Sequence, residues 1–179
     1  MLIVEDDSDG RAIAELAAKR LPNAQLSWLP ANGIGNIKRN AEKLILLARD
    51  RLEKGRGCVA VLVDRDRKDP SRDEPHRTIA RACRRAKVEF IAAREALEAW
   101  FLADRGICQW LGLTPSGSTD RISDPKGRVE QAFYRKTGRP YMKRRARLEV
   151  ARQSTGVDTG KNGSAQQALG AIQQCLGSR

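Results

Sequence analysis

Two groups of acidic residues in this chain stand where acids can do chemistry. Glu5, Asp6, Asp7 and Asp9 follow the apolar run Leu2-Ile3-Val4, and Asp64 and Asp66 close the run Val59-Ala60-Val61-Leu62-Val63. Two carboxylates a few ångströms apart repel by about 4 kcal/mol at an effective dielectric near 20, so acids gathered in one crevice call for a cation. Oxygen donors with no histidine or thiolate beside them select Mg²⁺ or Mn²⁺. If the strand continues through Asp64-Arg65-Asp66, alternate side chains share a face. Both aspartates then reach one ion while Arg65 points away. The alternative for the first group is plain helix capping, with Asp7, Ser8 or Asp9 favouring the positive end of the helix that follows.

The elements around these acids alternate. Residues 2–4, 24–29, 58–63 and 88–91 read as strands, the third as an uninterrupted β-rich run suited to the centre of a parallel sheet. Between them, apolar residues recur at helical spacing: Ile13, Leu16, Ala17 and Leu21; then Ile37, Ala41, Leu44, Ala48 and Leu52; then Ile79, Ala82, Cys83 and Ala86. A further helix is expected over 95–104. The pattern predicts an α/β fold, a parallel sheet of about four strands with helices on both faces. Ligands of such sheets bind outside the carboxyl ends of the strands, which is where the acids sit.

Beyond residue 112 no strand signal remains. Residues 114–124 read as a connector. Val129, Ala132 and Phe133 mark one helix, 142–150 a second, and 164–176 a third, with Ser164 as its N-cap. The organisation expected is an α/β core over 1–112 and an all-helical extension over 113–179 packed on it.

That extension carries most of the charge. The chain has 34 Lys and Arg against 22 Asp and Glu, a net charge of +12. Residues 121–153 alone hold eleven Lys and Arg against three acids. Lys126, Arg128, Arg135, Lys136, Arg139, Lys143, Arg144, Arg145 and Arg147 are the candidates for holding nucleic-acid phosphates, a sequence-independent contact. Lys143 is also a candidate for stabilising charge on a reacting phosphate. A solvated helix face, or a surface for an acidic protein, is the other reading of the same residues. Asn32-Gly33-Ile34-Gly35-Asn36 opens a helix, and Gly33 and Gly35 could bring backbone N–H groups to a phosphate. It lacks the Lys-Ser/Thr of a P-loop.

At 4% aromatic residues, base stacking along an aromatic platform is disfavoured. The longest apolar runs are far too short to cross a bilayer, and no signal-peptide pattern opens the chain. Cys58, Cys83, Cys108 and Cys175 form no C-x-x-C pair and read as buried small hydrophobes, which suits a cytoplasmic protein. His76, beside Arg77 at a helix start, is expected at the surface.

Two family resemblances attach to these residues. Leu2-Ile3-Val4-Glu5-Asp6-Asp7 is similar to the start of a response-regulator receiver domain, with Asp64 as phosphoacceptor. No hydroxyl ends the strand at Ala92-Ala93-Arg94, however, and no Lys-Pro strand follows. The chain more closely resembles the Toprim-like proteins, which include topoisomerases, primases and the OLD-family nucleases. Their Glu after the first strand and D-x-D after the third match Glu5 and Asp64/Asp66. The OLD-type acid four residues beyond the Glu matches Asp9, and Asp6 stands where the family usually has Gly. Glu95-Ala96-Leu97-Glu98-Ala99-Trp100-Phe101-Leu102-Ala103-Asp104, Tyr141-Met142-Lys143 and Asn162-Gly163-Ser164 resemble segments of a small bacterial Toprim-like branch. The resemblance implies a Mg²⁺- or Mn²⁺-dependent nuclease for DNA or RNA. Its metal ligands would be Glu5, Asp9, Asp64, Asp66 and Glu98, and its catalytic residues Glu5, Asp64, Asp66 and Lys143. It also implies a role in phage defence or a mobile element beside a separate ATPase. A receiver-like phosphoacceptor and a non-catalytic nucleic-acid or protein adaptor are the alternatives.

Overall fold

Strand β3 (Ala60–Arg65) takes the most apolar run of the chain through the middle of a four-stranded sheet. It pairs with β1 (Leu2–Val4) on one side and β4 (Glu89–Arg94) on the other, and β2 (Trp28–Pro30) lies beyond β1. Every pairing is parallel, in the order β2-β1-β3-β4. The computed structural model describes residues 1–52, 57–65, 73–115 and 117–177. Asp66 therefore lies outside the described residues.

The pleat sorts the core into two halves. Ile3, Val61 and Val63 pack with α2 (Ile34–Asp50) and α3 (Asp73–Ala86). Leu2, Val4, Ala60, Leu62, Ile91 and Ala93 face the other way, onto α1 (Asp7–Arg20) and the helices that follow β4. This division follows from topology. The chain steps from β1 outward to β2, then reverses to β3 and β4, and a single crossover hand puts helices made in opposite directions on opposite faces. Pro30 is tolerated because β2 is an edge strand.

On the α1 face lie α4 (Glu98–Leu102), α5 (Arg105–Trp110), α6 (Pro125–Thr137), α7 (Lys143–Ala151) and α8 (Gly163–Gly177). Their buried residues, among them Trp100, Phe101, Phe133, Ala146 and Val150, join Val4, Ile13 and Leu16 in one cluster. The helical extension thus completes the same core as the sheet. No helix among the described residues is long and apolar enough to cross a membrane.

Several elements differ from the sequence reading. The expected strand over 24–29 shrinks to Trp28–Pro30, because β1 offers only three residues to pair with. The single helix expected over 95–104 begins instead at Glu98 and breaks at Asp104. Buried Asp104 caps α5 through the Ile107 N–H and also accepts from the Ser154 hydroxyl and the N–H groups of Thr155 (3.2 Å) and Gly156 (3.0 Å). Helix α8 starts one residue early. Asn162 accepts the Ala165 N–H as its cap (2.9 Å), which frees the Ser164 hydroxyl to accept from the Trp100 indole (2.9 Å).

The cysteines divide. Cys83 and Cys108 are buried free thiols, but Cys58 and Cys175 form a disulfide that ties the approach to β3 to the end of α8. Buried hydrophobe is thus the wrong reading for that pair, because the fold brings their Cα atoms to 5.8 Å across 117 residues of sequence. His76 is buried rather than exposed, its Nε2–H donating to the carbonyl oxygen of Asp64 (2.9 Å).

Candidate functional site

The order β2-β1-β3-β4 reverses direction between β1 and β3, and the crevice outside their carboxyl ends is the topological switch point of the sheet. Glu5 follows β1 and Asp64 is the penultimate residue of β3, so they meet there. The Asp64 N–H donates to Glu5 Oε1 (3.0 Å), and the Leu97 N–H donates to Asp64 Oδ1 (3.0 Å). Among the described residues Glu5 Oε2 and Asp64 Oδ2 accept no hydrogen bond, and Arg147 lies 4.0 Å from the latter.

Asp6 caps α1. Its carboxylate accepts the N–H groups of Ser8 (2.8 Å) and Asp9 (3.3 Å), while Asp9 reaches back to the Asp6 N–H (3.1 Å), a reciprocal capping box. The cap holds Asp9 inward, 5% exposed, under the crevice. Gly10 allows this close approach, because a Cβ there would meet the Trp28 ring at 2.2 Å. On the other side Glu98, 0% exposed, enters from the first turn of α4.

Into the gap between Asp9 and Glu98 comes helix α7. Gly138, in the left-handed region (φ 68°), ends α6, and Arg139 and Pro140 carry the chain to Tyr141. The Tyr141 ring packs edge-on to Phe133 with centroids 5.5 Å apart. Ala146 and Val150 bury against the core, which turns Lys143 and Arg147, four residues apart on one helical face, towards the acids. The Arg147 guanidinium is 1% exposed. Its Nη2 lies 2.6 and 2.8 Å from the two oxygens of Glu98, its Nε 3.0 Å from Glu98 Oε1, and its Nη1 donates to Asp9. The Tyr141 hydroxyl donates to Glu98 as well (3.1 Å). Lys143, at the crevice mouth, lies 2.6 Å from Asp6 and 3.3 Å from Asp9.

The electrostatics follow from this crowding. Burial, then the charges of Glu98 and Glu5, push the Asp64 carboxyl up to about 7. Burial also raises Glu98 and Tyr141 and lowers Arg147 to about 10, which leaves the guanidinium charged at neutral pH. Burial works against the charged form of Asp6, but hydrogen bonds from Lys143 and Ser8 outweigh it and hold that carboxyl below its usual range. Lys143 is raised despite burial, through its bond to Asp6 and the nearby charges of Asp64, Asp6 and Glu5.

Not every predicted site residue has its expected surroundings. Asp9 and Glu98, expected as metal ligands, have their carboxylates taken by Arg147. Arg147, expected to hold nucleic-acid phosphate, is too deeply buried to meet one. Among the described residues no three His, Cys, Asp or Glu side chains form a group able to hold a metal ion. Among the described crevice residues, Glu5 and Asp64 each keep one oxygen without a hydrogen-bond donor. Mg²⁺ often binds proteins through one or two carboxylates and keeps its remaining waters, so this donor set fits it. Arg65 is bound to Asp73 at the start of α3 (3.0 Å), on the side away from Leu97. Gly33 donates its N–H to the Glu5 carbonyl oxygen (2.8 Å) and so has none to offer a phosphate; Gly35 lies in the open first turn of α2. Arg135, Lys136, Arg144 and Arg145 are exposed and Arg128 half-buried. Lys126 lies near Glu130 (3.8 Å), and Arg139 pairs with Glu149 (2.7 Å) over the Phe133 ring. In sequence Tyr141 has a place only in a resembling segment and Arg147 is assigned no inward role, although the i, i+4 spacing of Lys143 and Arg147 beside Ala146 is the signal that could show it.

Replacing Arg147 by Met leaves Glu98 buried without a paired cation and Asp9 with Lys143 alone. It is expected to cost about 3–5 kcal/mol in urea unfolding, and Arg147→Met/Glu98→Met is expected to recover much of that. A pH series tests Asp64. Its carboxyl binds a proton more tightly folded than unfolded, so its contribution to stability is fully present below the ordinary value of 3.8 and is lost as pH rises through about 7. In EDTA, Asp64→Asn should therefore raise the melting temperature at pH 8, by an amount corresponding to on the order of 2 kcal/mol, and change it little at pH 4. Compared with known proteins, the chain matches no family model, no curated protein and no solved structure.

Proposed function

We propose that the protein is a Mg²⁺- or Mn²⁺-dependent nuclease that hydrolyses phosphodiester bonds of DNA or RNA at the switch-point crevice. The observation that carries this reading is the pair Glu5 and Asp64. They meet at the neighbouring ends of β1 and β3, linked through the Asp64 N–H, and each has one oxygen that accepts no hydrogen bond among the described residues. Asp66, two residues beyond Asp64, is the natural third donor. A divalent ion bound there supplies Lewis-acid polarisation of a phosphate and a water of lowered pKa.

The chain's own groups account for the rest. Glu5 and Asp64 furnish the carboxylates, and Asp64, whose burial raises its proton affinity, gives up that proton when a cation takes its place. Lys143 presents its ammonium at the crevice mouth, where an entering phosphate gains a charge-assisted hydrogen bond. Arg147 holds Asp9 and Glu98 inward and keeps these acids from repelling the substrate. Arg135, Lys136, Arg144 and Arg145, exposed on the extension, hold the nucleic-acid backbone without reading its sequence. The Toprim-like resemblance adds to this proposal a separate ATPase partner and a role in phage defence or a mobile element.

The test is cleavage of plasmid DNA and of RNA with Mg²⁺ or Mn²⁺. Glu5→Gln and Asp64→Asn should each lower the rate by at least about a hundredfold while the fold persists by circular dichroism. Cleavage that survives both substitutions contradicts the site. Incorporation of label from acetyl phosphate at Asp64, with no cleavage, would favour the phosphoacceptor reading.

A further inference from the structure

The face of the sheet opposite the extension carries a second basic surface. Helices α2 and α3 cover that face and enclose a groove of about 280 Å³ lined by Lys38, Arg39, Lys43, Arg81 and Arg85, with Glu42 the one acid among its walls. Its cations are under-neutralised. Lys38 is 3.4 Å from Glu74 and Arg85 is 3.3 Å from Glu42, but Arg39, Lys43 and Arg81 are exposed and meet no carboxylate among the described residues. The groove has polar neutral lining as well, in Asn40 and Thr78. Asn40 departs from helical geometry (φ −125°, ψ 17°), so α2 kinks within the groove wall.

We propose that this groove is a second binding surface for a nucleic-acid backbone, on helices that start at the carboxyl edge of the sheet where the crevice lies. Charge complementarity selects the occupant. Arg39 and Lys43 on α2, and Arg81 and Arg85 on α3, are each four residues apart, about 6 Å along the helix. One strand of duplex carries a phosphate every ~3.4 Å of axis, so each pair of cations spans about two phosphates. The groove is concave and contains no aromatic side chain, which suits backbone contact rather than stacking on bases. A membrane surface is the poorer match, because the exposed apolar residues of α2, Leu46 and Leu47, lie outside the groove.

Its position gives it a purpose. Helix α2 begins beside Glu5, since the Gly33 N–H donates to the Glu5 carbonyl oxygen, and residues 38–43 lie roughly 6–14 Å down the helix from that point. A strand lying across the Glu5–Asp64 crevice would meet the extension on one face and this groove on the other. The inference takes its choice of polyanion from the nuclease reading, but it concerns binding and stands apart from cleavage.

The test measures anisotropy of a labelled duplex and of its single strand, with the full chain in EDTA over a range of salt. Lys43→Glu/Arg81→Glu changes two exposed side chains. It is expected to weaken binding about tenfold or more at low salt and to reduce the salt slope by about 1.4–1.8, the value for two lost phosphate contacts. Lys19→Glu/Arg105→Glu, exposed and outside the groove, serves as the control for net charge. Equal effects of the two double variants, with both folded by circular dichroism, overturn the proposal. So does an unchanged nucleic-acid affinity in Lys43→Glu/Arg81→Glu accompanied by loss of binding to phosphatidylserine vesicles or to polyglutamate. In parallel Mg²⁺ reactions, groove-dependent binding without cleavage defeats the nuclease reading alone, and cleavage with groove-independent binding defeats this one alone.

Discussion

The buried contact of Arg147 with Glu98 and Asp9 is the constraint on which the arrangement of this protein depends. A parallel sheet gathers the ends of its strands, and here it gathers carboxylates: Glu5 and Asp64 at the edge, with Asp9 and Glu98 behind them. Such a set is costly in a region that water barely reaches. A guanidinium is suited to offset it, because its planar fork matches a carboxylate in two places and it keeps its charge under burial. Arg147 does this for Glu98 and reaches Asp9 with its remaining nitrogen. The acids at the rim are left to Lys143 and to whatever cation the crevice admits.

The extension is therefore part of the site. Its helices bring α7 across the crevice, and they are fastened to the sheet by buried polar contacts on both sides of it. Asp104 binds the turn after α7 through Ser154, Thr155 and Gly156, and Trp100 donates to Ser164 at the start of α8. Both fastenings start from the segment around α4 that also carries Glu98. The segment 95–104 thus joins three tasks: it ends the sheet, anchors the extension and supplies the acid that Arg147 neutralises. The surplus of basic residues divides accordingly. One arginine and one lysine turn inward to the acids, while others lie exposed on the extension and on α2 and α3, on opposite faces of the sheet.

Much of the fold could be read in advance where the signal is local. The apolar run before Asp64 is a central strand because nothing in it is polar, and the 3- and 4-residue spacing from Ile13 to Ala86 marks α1 to α3. The position of Glu5 and Asp64 at neighbouring strand ends follows once the sheet is recognised as parallel. Contacts between distant segments could not be read the same way. Helical periodicity runs smoothly through Asp104, and the break there is favoured by its cap on Ile107 together with the distant donors Ser154, Thr155 and Gly156. The Cys58–Cys175 disulfide depends on where α8 ends relative to β3. Arg147 sits in a run of arginines that looks uniformly exposed, and its partners lie 49 and 138 residues away. Composition points to the extension because most of the net charge lies there; α2 and α3 carry acids as well, and only their packing lines their cations up along a groove.

If the account is right, the crevice binds one divalent ion per chain on Glu5 and Asp64, because Arg147 already occupies the acids a second ion would need. Titration of the metal-free protein with Mn²⁺, followed by the loss of the free-ion electron paramagnetic resonance signal, measures this directly. The account predicts a stoichiometry of about one, abolished in Glu5→Gln/Asp64→Asn, with the fold retained by circular dichroism. Mn²⁺ binding that is unchanged in that variant, or a stoichiometry of two in the unaltered chain, would contradict it.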